Sequence, residues 1–108
     1  MLSGMFNGIG LRFSRVEDGK EVGRAFLYIL RNDLHDAPFG LIEDVHVDTQ
    51  WRGRGVGTAL VRELIEAAKQ YRCHKIIATS RLSRPEVHVW YESLGFTSYG
   101  KEFRLDLS

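Results

Sequence analysis

The stretch QWRGRGVGT, residues 50–58, separates two segments of different periodicity. Before it, residues 41–48 alternate between apolar and polar and predict a strand. After it, apolar residues from Val56 to Ala68 recur at helical spacing and predict an amphipathic helix that ends near Arg72. The first N–H groups of a helix have no acceptor within it, and its dipole is positive there. Glycines and arginines at this position therefore predict a turn that binds phosphate.

The spacing of this turn differs from that of two common nucleotide-binding loops. A P-loop has a lysine directly before its Ser or Thr, whereas Gly57 precedes Thr58 here. A dinucleotide-binding turn reads G-x-G-x-x-G, whereas Gly53, Gly55 and Gly57 read G-x-G-x-G. A tight turn that merely carries solvated arginines stays open as the alternative.

The rest of the chain predicts an α/β fold in the order β-β-β-α-β-α-β-β, with helices packed on a sheet. Asp18-Gly19 indicates a hairpin between the first two strands, and Gly95 a stop for the second helix. That helix opens at Ser83 with a capping box and has Pro85 in its first turn. The other predicted strands are residues 41–48, residues 75–80, FTSY at 96–99 and EFRLDL at 102–107. We expect one domain over residues 1–108, with residues 1–10 poorly ordered.

Composition argues against several classes of protein. Fifteen basic and 14 acidic residues leave a formal net charge of +1, and the RG run is single, which disfavours a nucleic-acid binder. The N-terminus is neither a signal peptide nor a membrane span, so no membrane partner is expected. Cys73 is the only cysteine, which excludes an intrachain disulfide and a cysteine metal cluster. It is expected to be a packed residue of a metal-free, cytoplasmic protein.

Two motifs carry a resemblance to a known family. Residues 45–69, VHVDTQWRGRGVGTALVRELIEAAK, resemble the acetyl-coenzyme A (acetyl-CoA) motif of the GNAT N-acetyltransferase superfamily. Its signature [Q/R]-x-x-G-x-[G/A] is filled by Arg52, Gly55 and Gly57. The later motif, aromatic-Tyr-x-x-x-Gly-Phe, resembles WYESLGF at residues 90–96. The resemblance covers about residues 22–107 and implies a mixed, mostly antiparallel sheet. Within the superfamily, the glucosamine-6-phosphate N-acetyltransferases look most similar.

The resemblance implies where acetyl-CoA would bind. Its pantetheine arm would pair like an extra strand with the third strand, where that strand separates from the fourth. A bulge, typical of the family, would shift the side-chain alternation there. The pyrophosphate would lie on the N–H groups of the glycine-arginine turn. The residues implied are Val45, His46 and Val47 for pantetheine, and Arg52, Gly53, Arg54, Gly55, Val56, Gly57 and Thr58 for pyrophosphate.

The resemblance also implies an acid, and the residues suggest a base. Tyr91 matches the family tyrosine that acts as general acid toward the coenzyme A sulfur, with a core aromatic as the alternative. Glu43 is the first candidate for general base, directly or through water, with a structural carboxylate as the alternative. Simple alternation places Glu43 on the apolar face of its strand and Asp44 and His46 on the other. The substrate-side candidates are Glu43, Asp44, Arg84 and His88.

The front of the chain departs from the family pattern. The family begins with a strand and two helices that form much of the acceptor site, whereas this chain begins near the family's second strand. The acceptor site is then either open to a large amine substrate or completed by a second subunit, and we expect a homodimer. The leading hypothesis is direct transfer of an acetyl group from acetyl-CoA to a primary amine. The alternative is a non-catalytic acetyl-CoA-binding module or subunit.

Overall fold

A computed structural model describes residues 1–80 and 84–108, which form two compact units, Met1–Ala78 and Thr79–Ser108. The first unit contains a four-stranded sheet and one long helix, and the second contains one shorter helix. The strands are β1 (Ile9–Glu17), β2 (Lys20–Leu30), β3 (Phe39–Val47) and β4 (Ile76–Ala78), and the helices are α1 (Val56–Gln70) and α2 (Pro85–Ser93). A single 3₁₀ turn covers Thr49–Trp51. The predicted mixed α/β class is confirmed.

The sheet has the order β1-β2-β3-β4, antiparallel except for the last pair. Asp18 and Gly19 join β1 to β2 with positive φ angles of 52° and 76°. Positive φ at both central residues matches a type I′ turn, whose twist suits a hairpin, so the predicted hairpin is confirmed.

The core of the first unit lies between α1 and one face of the sheet. Its buried apolar residues are Val22, Ala25, Leu27, Ile29, Ile42, Val56, Leu60, Val61, Leu64 and Ala68. The first turn of α1 approaches β2 closely at Gly23, where an added Cβ would lie 2.8 Å from Val56 Cγ1. A larger residue at Gly23 would displace this turn, so close packing on the sheet fixes the N-terminus of α1.

A β-bulge interrupts β3 at the predicted place. Arg24 pairs with His46 and Phe26 with Glu43, so one residue of β2 faces two residues of β3. Asp44, within this bulge, has a φ of +52°. Because Arg24 and Phe26 are two residues apart on β2, their partners His46 and Glu43 point to the same face. The expected separation of Glu43 from His46 is therefore wrong, because the bulge shifts the alternation by one residue.

The C-terminal part of the predicted order differs from the structure. Residues 96–108 form no strand, and Tyr99 and Phe103 are 97% and 90% exposed. A strand needs a hydrogen-bonded neighbour, and the described part of the second unit contains no other strand to supply one. β4 is also shorter than predicted, because its pairing with β3 ends at Ile42. Residues 1–8 have no regular structure, and the single domain stays a prediction.

The ends of α2 follow the predicted signals in part. Arg84 is the N-cap residue and Pro85 begins the helix. Ser83, the predicted start of the capping box, lies outside the described residues. Gly95, with a φ of +98°, follows the last residues of the helix and confirms the predicted stop.

Candidate functional site

The turn between β3 and α1 leaves helix N–H groups at its surface. Gly53 and Gly55 adopt left-handed φ angles of 75° and 83°, a conformation that favours glycine. Ala59 N–H donates a hydrogen bond to the Gly55 carbonyl at 3.0 Å, and the first N–H groups of a helix have no acceptor within the helix itself. An added Cβ at Gly53 or Gly55 would meet no described atom within 4 Å. With no acidic residue in its first turn, this end of α1 can receive an anion.

Two arginines of this turn are held by neighbouring groups. Arg52 Nε donates a hydrogen bond of 3.0 Å to the carbonyl of Val47, at the end of β3. The guanidinium carbon of Arg54 lies 4.9 Å from the centre of the Trp51 ring, a cation–π contact. The Arg52 bond fastens the glycine turn to the strand segment predicted for pantetheine.

β3 has an open edge next to this turn. Its parallel pairing with β4 covers Gly40 to Ile42, and β4 ends at Ala78. In the sheet as described, residues 43–47 therefore have no strand partner on the β4 side, and the Val47 carbonyl at the end of this edge accepts the bond from Arg52. An extended chain can add to such an edge through backbone hydrogen bonds. The edge and the turn form one continuous polar backbone surface.

The bulge brings the predicted base and His46 to one face of the sheet. Glu43 and His46 lie on the face of the sheet opposite α1, together with Arg24, which pairs with His46. His46 Nε2 lies 3.5 Å from a carboxylate oxygen of Asp48, a contact that becomes an ion pair when the histidine is protonated. The exposed Asp44 lies within the bulge. Arg24 could not be predicted as a site residue from local sequence, because its position beside His46 depends on the register across the bulge.

A cavity of about 590 Å³ lies between the β1–β2 hairpin and the 3₁₀ turn. Its lining residues are Glu17, Asp18, Lys20, Val22, His46, Asp48, Thr49, Gln50 and Trp51. It shares His46 with the predicted site but includes neither Glu43 nor the glycines. Of the residues predicted to bind the coenzyme, His46 alone lines this cavity.

The second unit carries the other predicted site residues on α2. Arg84, His88 and Tyr91 recur at i, i+4 and i+7 and so share one side of the helix. Arg84 Nε lies 3.3 Å from a carboxylate oxygen of Glu86. The pKa of Glu86 is lowered, first by a hydrogen bond from its own backbone amide and further by Arg84. Arg81 and Arg84 flank the turn after the predicted strand at residues 75–80 and are both candidate phosphate contacts from the sequence, but Arg81 lies outside the described residues.

The environment of Cys73 does not favour a nucleophile. The side chain is partly buried, and this burial raises the pKa of its thiol, so the reactive thiolate is disfavoured. Among the described residues, no three His, Cys, Asp or Glu side chains are grouped to hold a metal ion. Neither described helix is long and apolar enough to cross a membrane.

Comparison with known proteins gives consistent matches. A profile of the acetyltransferase (GNAT) family matches residues 6–96. The chain is 38% identical, over 97 residues, to a glucosamine 6-phosphate N-acetyltransferase of Trypanosoma brucei brucei. It is 29% identical, over 82 residues, to an aminoglycoside N(6')-acetyltransferase type 1 of Stenotrophomonas maltophilia. The first match covers 88% of this chain and the second 73%.

A solved structure supports the same grouping. The chain is similar to a putative acetyltransferase from Agrobacterium tumefaciens, with a TM-score of 0.84 and 35% identity. That match covers 90% of this chain and 68% of the other. The chain spans 63% of the length of the trypanosomal protein and 54% of that of the aminoglycoside enzyme.

Proposed function

The chain belongs to the GNAT family of acetyltransferases, and from this premise we propose that it transfers an acetyl group from acetyl-CoA directly to a primary amine. The observation that carries the proposal is the continuity between the open edge of β3 and the N-terminus of α1. The hydrogen bond from Arg52 to the Val47 carbonyl joins the two surfaces. An extended pantetheine arm suits the first surface, and a pyrophosphate suits the second.

In the proposed coenzyme surface, backbone groups make most of the contacts and side chains make fewer. Val45, His46 and Val47 would pair with the amides of pantetheine along the free edge of β3. The N–H groups from Arg52 to Thr58 would receive the pyrophosphate, and the arginines would add positive charge. Because Arg52 and Arg54 are already held by Val47 and Trp51, little side-chain order is lost on binding.

Acetyl transfer needs two proton movements, and we assign one residue to each. Acetyl-CoA supplies the activated acetyl group as a thioester. Glu43 takes a proton from the attacking amine, directly or through water, as the C–N bond forms. Tyr91 gives its hydroxyl proton to the sulfur as the C–S bond breaks. The products are an amide and free coenzyme A, and no acyl-enzyme forms.

We propose that the acceptor amine approaches over the end of the sheet face opposite α1 that carries Glu43 and His46. Asp44, Arg84 and His88 are the further residues proposed to contact it. The matched relatives are named for a sugar phosphate and for aminoglycosides, and these amines are the first acceptors to test. A peptide with a free N-terminus represents larger acceptors.

Calorimetry and a rate assay together test this proposal. We expect saturable binding of acetyl-CoA and release of free coenzyme A that depends on added amine. Glucosamine 6-phosphate, an aminoglycoside and a peptide amine are compared, with their N-acetylated forms as controls. Binding without transfer to any amine would favour the non-catalytic module, and absence of binding at high micromolar ligand would contradict both functions.

We also propose that the chain is a cytoplasmic homodimer. The sheet face opposite α1 carries Tyr28, Leu41 and Ile77 in one row, and Tyr28 and Ile77 are each 37% exposed. Pairing of this apolar row with a second copy would remove apolar surface from water, and would place that copy beside the proposed acceptor surface of Glu43 and His46 on the same face. A sedimentation mass of twice the 12.4 kDa chain is expected, with dissociation in Tyr28→Lys. A monomer at all concentrations would contradict the dimer, and subcellular fractionation tests the compartment.

A further inference from the structure

The C-terminus of α2 forms a hydrogen-bonded cap around the backbone of Tyr91. Gly95 N–H donates to the Glu92 carbonyl at 3.0 Å, and Phe96 N–H donates to the Tyr91 carbonyl at 3.1 Å. Leu94 N–H donates to the same Tyr91 carbonyl at 3.0 Å. With the left-handed Gly95, this is the Schellman pattern of helix ends. Two N–H groups therefore converge on the carbonyl of the proposed acid.

The same reversal of the chain brings an aromatic ring against the Tyr91 side chain. The Phe96 and Tyr91 ring centres are 5.3 Å apart, at an interplanar angle of 69°, an edge-to-face contact. The Trp90 ring contacts Tyr91 as well, with centres 4.8 Å apart. A tyrosine has two rotatable side-chain bonds, so contacts with two rings restrict the direction of its hydroxyl.

We propose that Phe96 is a positioning residue that orients the Tyr91 phenol for proton donation, with Gly95 providing the turn that delivers it. This inference rests on the proposed function of Tyr91 as general acid. A Schellman cap commonly includes an apolar contact between the positions of Phe96 and Tyr91, which by itself would only stabilise the helix end. Stabilisation of the helix end needs only an apolar side chain at position 96, whereas orientation of the Tyr91 phenol needs the flat ring.

Phe96→Leu separates orientation from apolar contact, because leucine keeps an apolar side chain and the cap hydrogen bonds but has no ring. We expect its kcat to fall about tenfold, with an unchanged KM for acetyl-CoA, since misplacement of a reacting group lowers rate more than binding. In a Tyr91→Phe background the same substitution is expected to leave kcat unchanged. If Phe96→Leu lowered kcat in the Tyr91→Phe background by the same factor as in the wild type, the inference would be overturned. Val89→Leu is the control, on a residue of α2 that is 66% exposed.

A spectroscopic measurement tests the ring contact without requiring activity. In tyrosine-labelled protein, we expect Phe96→Leu to move the Tyr91 ring resonances toward those of Tyr99, which is 97% exposed. Tyr91→Phe assigns the signal by removing it. Unchanged Tyr91 resonances in Phe96→Leu would overturn the inference. If Phe96→Leu shifts the Tyr91 resonances but the wild-type chain acetylates no amine, the contact between the two rings is upheld and the proposed function is refuted.

Discussion

Replacement of Gly55 by aspartate is expected to weaken acetyl-CoA binding about a hundredfold, or ~2.7 kcal/mol. Gly55 is the N-cap of α1 and has a φ of +83°, a conformation that asparagine and aspartate tolerate better than other residues. Because an added Cβ meets no described atom within 4 Å, the new carboxylate has room above the turn. It would face the pyrophosphate, and two like charges held together cost several kcal/mol. Titration calorimetry at low ionic strength measures the loss.

Gly55→Asn is the matched control for this charge. Asparagine needs the same left-handed backbone conformation as aspartate and has nearly the same volume, but it carries no charge. We therefore expect its affinity for acetyl-CoA to fall much less. The difference between the two variants should shrink as salt is added, because exposed charges are screened. Relative to Gly55→Asn, the aspartate charge should stabilise the N-terminus of α1 by about 0.3–1 kcal/mol, so weaker binding in the more stable of the two variants excludes unfolding as its cause. Equal affinities of the two variants would contradict pyrophosphate binding at this turn.

The elements of the first unit could be predicted because each carries a strong local signal. Asp18-Gly19 selects a hairpin turn, and the apolar period from Val56 to Ala68 selects a helix. These signals depend on residues close in sequence, and they also place the glycine turn between β3 and α1. The position of the predicted coenzyme surface thus follows from local sequence.

The neighbours of Glu43 could not be predicted from alternation, because side-chain direction on a strand depends on register. The bulge inserts one residue of β3 opposite β2, which moves His46 to the face that holds Glu43 and Arg24. The family resemblance predicted the bulge, but only the observed strand pairing identifies Arg24 as a neighbour of His46. The missing C-terminal strands have a related cause, since alternation around Phe103 suits a strand but cannot supply its partner.

Tyr91→Phe is expected to lower kcat about a hundredfold, because a positioned general acid contributes roughly 10²–10⁴-fold to such reactions. The dissociation constant of acetyl-CoA should stay unchanged, since the proposed coenzyme surface consists of β3 and the glycine turn. Phenylalanine keeps the ring and its contacts with Trp90 and Phe96, so the substitution removes the hydroxyl and little else. Steady-state rates with the best acceptor, together with calorimetry, separate the two quantities.

Tyr99→Phe is the control. Because Tyr99 is 97% exposed, we expect this substitution to leave kcat unchanged. Thermal unfolding of Tyr91→Phe shows whether its loss of rate reflects a damaged fold. An unchanged kcat would mean that the sulfur departs without a proton from Tyr91, and would make Tyr91 a packing residue of α2. A loss of rate with intact coenzyme binding and stability would assign the proton to Tyr91, because a packing residue would not separate these three quantities.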